Sequence, residues 1–191
     1  MITGVILSGG QGRRMGGADK GLQLFQGRPL VYWALERFRP QVDRLLISAN
    51  RHQTEYAAFG YRVIGDSLPG YAGPLAGLHA ALSVASDEWV ASAPCDAPFL
   101  PTDLVARLLT GINAAEAVVA VARTPQRMQP VFTLCRRQVL PELTEFLASG
   151  GRKVEQWLAT LPVAEVAFDD ATAFENLNTS NQLAQFELDK R

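Results

Sequence analysis

The chain has 191 residues, 48% of them apolar, and a formal net charge of −1, enough length for one domain with a sizeable core and too little positive charge for general nucleic-acid binding. Its two cysteines, Cys95 and Cys135, lie far apart and outside any Cys-x-x-Cys pair, which argues against a disulfide framework and against a cysteine zinc site.

The opening "MITGVIL" carries no positive n-region and breaks at glycine, so it reads as the start of a buried strand over 3–8 and not as a signal peptide. No stretch approaches the ~18 apolar residues of a membrane span, and the expected compartment is the cytoplasm. A glycine-rich, basic loop follows. Residues 29–38, "PLVYWALERF", have helical spacing with proline in the first turn. Residues 42–50 read as a strand, 52–60 as a short helix ended by glycine, and 61–66 as a third strand. A helix over 74–86 precedes a strand over 88–96, and a further helix spans 101–112, with Thr102 or Asp103 near its start. The second half is more mixed. Residues 115–123 and 128–136 read as two strands joined by a polar link, 137–151 and 152–160 as helices, and 164–170 as a late strand. A closing helix over 179–190 is capped by Thr179 or Ser180.

Strand then helix, repeated, predicts βαβ units and a mostly parallel sheet in a single three-layer α/β domain over 1–191. Open sheets of this kind bind ligands at the carboxyl ends of their strands. Polar groups fall at four such ends: the loop from Ser8 to Lys20, Asn50, Asp66 with "SLPGYAGPLAG", and Asp96 with "APFLP".

The loop stretch "GVILSGGQGRRMGGADKG" holds seven glycines and the basic residues Arg13, Arg14 and Lys20. Glycines let backbone N–H groups turn toward an anion, and the basic side chains suit a polyphosphate. It is neither a Walker A loop, lacking Gly-Lys-Ser/Thr, nor a dinucleotide GxGxxG, lacking the acidic end to the second strand. Asp96, ending an apolar strand, has the chemistry to hold Mg²⁺ with substrate phosphate, although an aspartate before Pro98 also suits a turn. Asn50 and Asp66 suit a base or ribose edge, and equally a strand-end turn. His52 and His79 are isolated, no nucleophile is readable, and Cys95, Trp33, Trp89 and Trp157 read as core.

"LSGGQGRRMGGADKG" resembles the nucleotidyltransferase signature, Leu-x-Gly-Gly-x-x-x-Arg-Met-Gly followed by Asp-Lys. With "SANRHQ", "DSLPGYAGPLAGL", "APCDAPFL" and "FENLNTSNQL", the chain is most similar to the molybdenum cofactor guanylyltransferases over nearly its whole length. The resemblance implies a Rossmann-like nucleotidyltransferase fold and transfer of GMP from GTP to molybdenum-molybdopterin, with Mg²⁺ on Asp96. It places nucleotide contacts at Leu7, Ser8, Gly9, Gly10, Lys20, Asn50, Asp66 and Asp96, and catalytic roles at Lys20, Arg14 and Asp96. Asn176, Asn178, Arg152 and Lys153 fall on the molybdopterin side, where helix capping and a solvated helix start are their ordinary alternatives. The N-terminal half would serve the nucleotide and the C-terminal half mainly the pterin. Molybdenum-insertion proteins and molybdoenzyme chaperones are the implied protein partners, with neither nucleic acid nor membrane.

Gly9 matches guanine users, since relatives that use CTP carry Ala-Ala-Gly at Ser8-Gly9-Gly10. Ser8 departs from the usual alanine, and its hydroxyl is expected near the base pocket. Gln129 stands before Pro130 where the family has His-Pro. Cytidylyl transfer to the same acceptor, transfer to a sugar phosphate, and a GTP-binding regulator without turnover remain the alternatives.

Overall fold

A computed structural model of the chain describes residues 1–8, 19–67 and 73–177. Gly9, Gly10, Arg14, Asn178 and the expected closing helix lie outside the described residues.

The apolar strand segments pair into one seven-stranded sheet. In chain order the elements are β1 (Ile2–Leu7), the short β2 (Leu24–Phe25) and β3 (Arg28–Pro29), α1 (Leu30–Phe38), β4 (Arg44–Ser48), α2 (Gln53–Ala57) and β5 (Arg62–Ile64). Then come α3 (Pro74–Val84), β6 (Trp89–Pro94), α4 (Leu104–Ala114), β7 (Val119–Arg123), β8 (Met128–Arg136), α5 (Leu140–Ala148), α6 (Val154–Leu158) and β9 (Val163–Ala167). The sheet order is β5-β4-β1-β6-β8-β7-β9. β1 pairs in parallel with both β4 and β6, β4 with β5, and β7 with β9, whereas β8 runs antiparallel to both its neighbours. The polar link read between 115–123 and 128–136 is therefore the turn of an antiparallel pair. Its second strand inserts beside β6.

Period-two alternation divides the strand side chains between two cores. Ile6, Ala91, Ala120, Ala122 and Leu134 face α1, α2 and α4, with Phe38, Tyr56, Leu104 and Leu108 among their partners. Val5, Val90, Val119, Val121 and Cys135 face α3, α5 and α6, with Leu75, Leu143 and Trp157. Both faces are covered, which is why these strands read as continuous apolar runs.

Several elements are shorter than their sequence pattern. The strand expected over 42–50 ends at Ser48, so Asn50 is free to turn, and the helix expected from 101 begins at Leu104. The β2–β3 hairpin was not anticipated. Its two turn residues, Gln26 and Gly27, both have positive φ, the conformation that matches the twist of paired strands. Pro130 lies at a register shift between β7 and β8, where no ladder donor is required.

α3 seats on the sheet through Gly77, where an added Cβ would lie 2.6 Å from Ser48 Oγ and 2.8 Å from Leu7 Cδ2. Gly77→Ala is expected to destabilise the fold by about 1–3 kcal/mol through overpacking. Urea unfolding checks this, and Ser48→Ala in the same chain should recover part of the loss.

Candidate active site

Because β5, β4, β1 and β6 are parallel, their carboxyl ends share one rim. Ladder bonds continue just past them: Ser8 N–H donates to Ser48 O, Ala49 N–H to Ile64 O, and Cys95 N–H to Leu7 O. Ser8, Asn50, Asp66 and Asp96 are thereby brought to one edge, as the strand-end reading expects.

Asp96 follows β6, a strand with all six residues buried, and is itself only 7% exposed. Burial holds its carboxyl above the ordinary carboxylate range, and the Lys20 ammonium pulls the other way. Lys20 Nζ stands 3.5 Å from Asp96 Oδ2. Lys20 opens a 3₁₀ turn, Lys20–Leu22, capped by Asp19, whose Oδ1 accepts the Gly21 N–H at 3.1 Å.

Asn50 and Asp66 close on each other. Asn50 Nδ2 donates to Asp66 Oδ2 at 2.6 Å, and Asp66 N–H donates to Asn50 Oδ1 at 2.8 Å. Burial raises the Asp66 carboxyl, and the Asn50 bond opposes this. Next to them is a buried histidine. Thr144 Oγ1 donates its one proton to Leu140 O, so it accepts from His79 Nε2–H at 3.0 Å. Burial keeps His79 below its ordinary value and neutral, which leaves Nδ1 to accept from the Ser67 hydroxyl at 3.3 Å.

The second half of the chain reaches the same rim. Leu177 N–H donates to Asp96 O at 3.0 Å, and the Leu177 side chain is buried with Phe25 and Leu30. Asn176 is thus brought beside Asp96, half-buried. The route is braced by Phe174, whose ring lies edge-on to Phe132 at 4.9 Å and to Phe168 at 5.1 Å. Arg152 and Lys153 are exposed, on the link between α5 and α6. Arg152 Nη1 donates to Leu147 O and Gly151 O, closing the end of α5. Among the described residues, neither joins the Asp96 or Asp66 clusters.

Two departures from the family pattern acquire places. Ser8 Oγ is buried close to the Tyr56 hydroxyl and the Cys95 thiol, beneath the Lys20 turn. It is on the α2 side of the sheet. Gln129 is buried and donates from Nε2 to Thr124 Oγ1 at 3.3 Å, while Thr124 bonds Arg127 O through both its N–H and its hydroxyl. Gln129 therefore braces the β7–β8 turn. Leu7 packs against α3 near Gly77, and its carbonyl accepts the Cys95 N–H.

Residues 4–165 match the model of the MobA-like NTP transferase domain family. The chain belongs to this family. The chain is 49% identical to the molybdenum cofactor guanylyltransferase of Cupriavidus taiwanensis over 97% of its own length and 96% of the relative's. It is 47% identical to the molybdenum cofactor guanylyltransferase of Ralstonia nicotianae over 96% of its length and 95% of the relative's. Among solved structures, molybdopterin-guanine dinucleotide biosynthesis protein A from Archaeoglobus fulgidus superposes with a TM-score of 0.81 at 25% identity, each chain covered completely. The MobA-like fold therefore spans the Lys20–Asp96 rim and the segment leading to Asn176.

Tyr56, Ser67 and Thr144 were not singled out from the sequence, Asp19 entered only as part of the Asp-Lys signature and His79 only as an isolated histidine. Asp19 carried a signal, an aspartate two residues before a glycine, as in an Asx turn. The others make contacts that depend on distant segments.

A carboxylate whose folded value is raised favours the fold most below the ordinary carboxylate range and loses that contribution as pH rises through the raised value. Removing the charge of Asp96 should therefore help the ligand-free fold at neutral pH. Asp96→Asn is expected to unfold at higher urea than the parent there, with a gap that shrinks on acidification below the carboxylate range. Paired urea titrations in metal-free buffer check both points.

Proposed function

We propose that this MobA-like nucleotidyltransferase moves GMP from GTP onto the terminal phosphate of molybdenum-molybdopterin, giving a guanine dinucleotide cofactor and pyrophosphate. The observation that carries the reading is the meeting of Lys20 and Asp96 across the strand rim, in a chain 49% identical to a molybdenum cofactor guanylyltransferase.

An acceptor phosphate oxygen attacks the α-phosphorus of GTP, and the bond to pyrophosphate breaks. The acceptor is already an anion, so the step needs alignment and charge neutralisation more than a strong base. Lys20 supplies positive charge to the leaving pyrophosphate, together with Arg14 and the N–H groups at Gly9 and Gly10. The 3.5 Å Lys20–Asp96 separation is long for a charge-assisted bond, so Asp96 holds Nζ only weakly against a phosphate oxygen. Leu7 and Ser8 bring the chain into this loop. Asn50 and Asp66 read the guanosine end: their mutual bonds use Asp66 Oδ2 and leave Oδ1 as acceptor for a guanine N–H or a ribose hydroxyl.

Asp96 fits a divalent cation, being a hard oxygen donor whose burial disfavours its charge until a cation compensates it. We assign this cation as Mg²⁺, which when bound neutralises developing charge on the triphosphate as a Lewis acid. Asn176 and Asn178, with Arg152 and Lys153, would hold the pterin and its phosphate, so that one domain splits its work between an N-terminal nucleotide half and a mainly pterin-binding C-terminal half. Molybdenum-insertion proteins and molybdoenzyme chaperones in the cytoplasm would deliver and collect the cofactor.

Pyrophosphate release, measured with each of the four NTPs in the presence of molybdenum-molybdopterin, tests this reading. Release is expected with GTP and the pterin together. Lys20→Ala and Asp96→Ala are each expected to lower it by at least about 100-fold with the circular dichroism of the parent. Preference for CTP, or GTP binding without release, would overturn the assignment.

A further inference from the structure

The aspartate of the Asp-Lys pair has no role in the transfer chemistry above, yet its carboxylate is firmly held beside Lys20. Asp19 Oδ1 accepts two hydrogen bonds, from Gly21 N–H at 3.1 Å and from the Tyr56 hydroxyl at 2.5 Å. Tyr56 is fully buried, and burial pushes its hydroxyl well above the ordinary value, so it remains a donor. A Cβ on Gly21 would lie 2.4 Å from that hydroxyl and 3.1 Å from Cys95 Sγ. Only glycine lets the backbone of the Lys20–Leu22 turn press down on the tyrosine. Gln23 N–H closes the turn on Lys20 O at 3.1 Å.

Tyr56 comes from α2, which is bound to the nucleoside end of the rim. Gln53 Nε2 donates to Ala49 O at 2.9 Å, one residue before Asn50, and Tyr56 N–H donates to His52 O at 3.0 Å. One short helix thus bonds the backbone just before Asn50 at its start and meets the Lys20 turn through Tyr56 near its end.

We infer that Tyr56 and Asp19 form a clamp that positions Lys20 for the phosphate step and sets its distance from the nucleoside pocket. Both are positioning residues: they act through the turn that carries Lys20. The inference rests on the proposed GMP transfer. Asp19 works here as a hydrogen-bond acceptor, and its negative charge is incidental.

Four variants in the full chain test the clamp: Tyr56→Phe, Asp19→Ala, Asp19→Asn and the Tyr56→Phe/Asp19→Ala double. Tyr56→Phe and Asp19→Ala should each lower kcat by about 10- to 100-fold, with KM for GTP within about threefold of the parent, because misplacement of Lys20 is felt mainly in the transition state. The double variant should be no slower than the worse single one, since both break one unit. Asp19→Asn keeps an acceptor Oδ1 and should restore most of the rate lost in Asp19→Ala. Hydrogen exchange across residues 19–23 should quicken in Tyr56→Phe and Asp19→Ala and return toward the parent in Asp19→Asn. Parental kcat and exchange in Tyr56→Phe would overturn the clamp. So would an Asp19→Asn variant as slow as Asp19→Ala while its exchange is parental, which would make the charge the active feature. If the unmutated chain transfers no GMP, the functional reading fails, and the exchange series still decides the clamp.

Discussion

A carboxylate buried at the end of an apolar strand is an unfavourable arrangement that a cation must offset, and Asp96 is in that position. β6 delivers it there through six buried residues, flanked by β1 on one side and β8 on the other. Lys20 answers it from across the rim. The helices that seat the sheet, the turn that carries Lys20 and the segment leading to Asn176 all converge on this one costly charge. A protein optimised for stability alone would put an amide or an apolar group here, so the burial points to a site kept for ligand chemistry.

The antiparallel β8 decides how the two halves of the chain meet. A purely parallel continuation would place β7, the next strand in the chain, directly beside β6. Instead β8 is inserted next to β6, β7 and β9 extend outward, and the chain after β9 returns along the α1 side. There Phe174 packs on Phe132 of β8, and Leu177 bonds the backbone of Asp96. Residues about 80 positions apart thereby share one edge. The register shift at Pro130 and the Gln129–Thr124 bond hold the β7–β8 turn. Gln129 thus serves as turn structure.

The same rim has two polar systems with different logic. Asn50 and Asp66 are locked to each other, and His79 is held between Ser67 and Thr144, so this end of the rim is preorganised by bonds that already exist. At the other end the Lys20–Asp96 contact is long, while the turn beneath Lys20 is tightly fixed. In the proposed transfer, a lysine carried on a rigid turn would meet the triphosphate without its backbone having to order first.

By itself the sequence determined the strand–helix alternation, the two-sided burial of the strands, and the polar residues at four strand ends, including Lys20, Asn50, Asp66 and Asp96. These are readable because periodicity and strand termini are local properties of the chain. Arg152 was legible as a cation but not as the closure of α5, since that depends on where Leu147 O points. Only the tertiary structure decided that β8 lies between β6 and β7, that Ser8 turns toward Tyr56, and that Tyr56 reaches Asp19 across 37 positions. Each of these depends on pairing between distant segments, and a hydrogen bond between two buried polar groups leaves no period in the sequence that contains it.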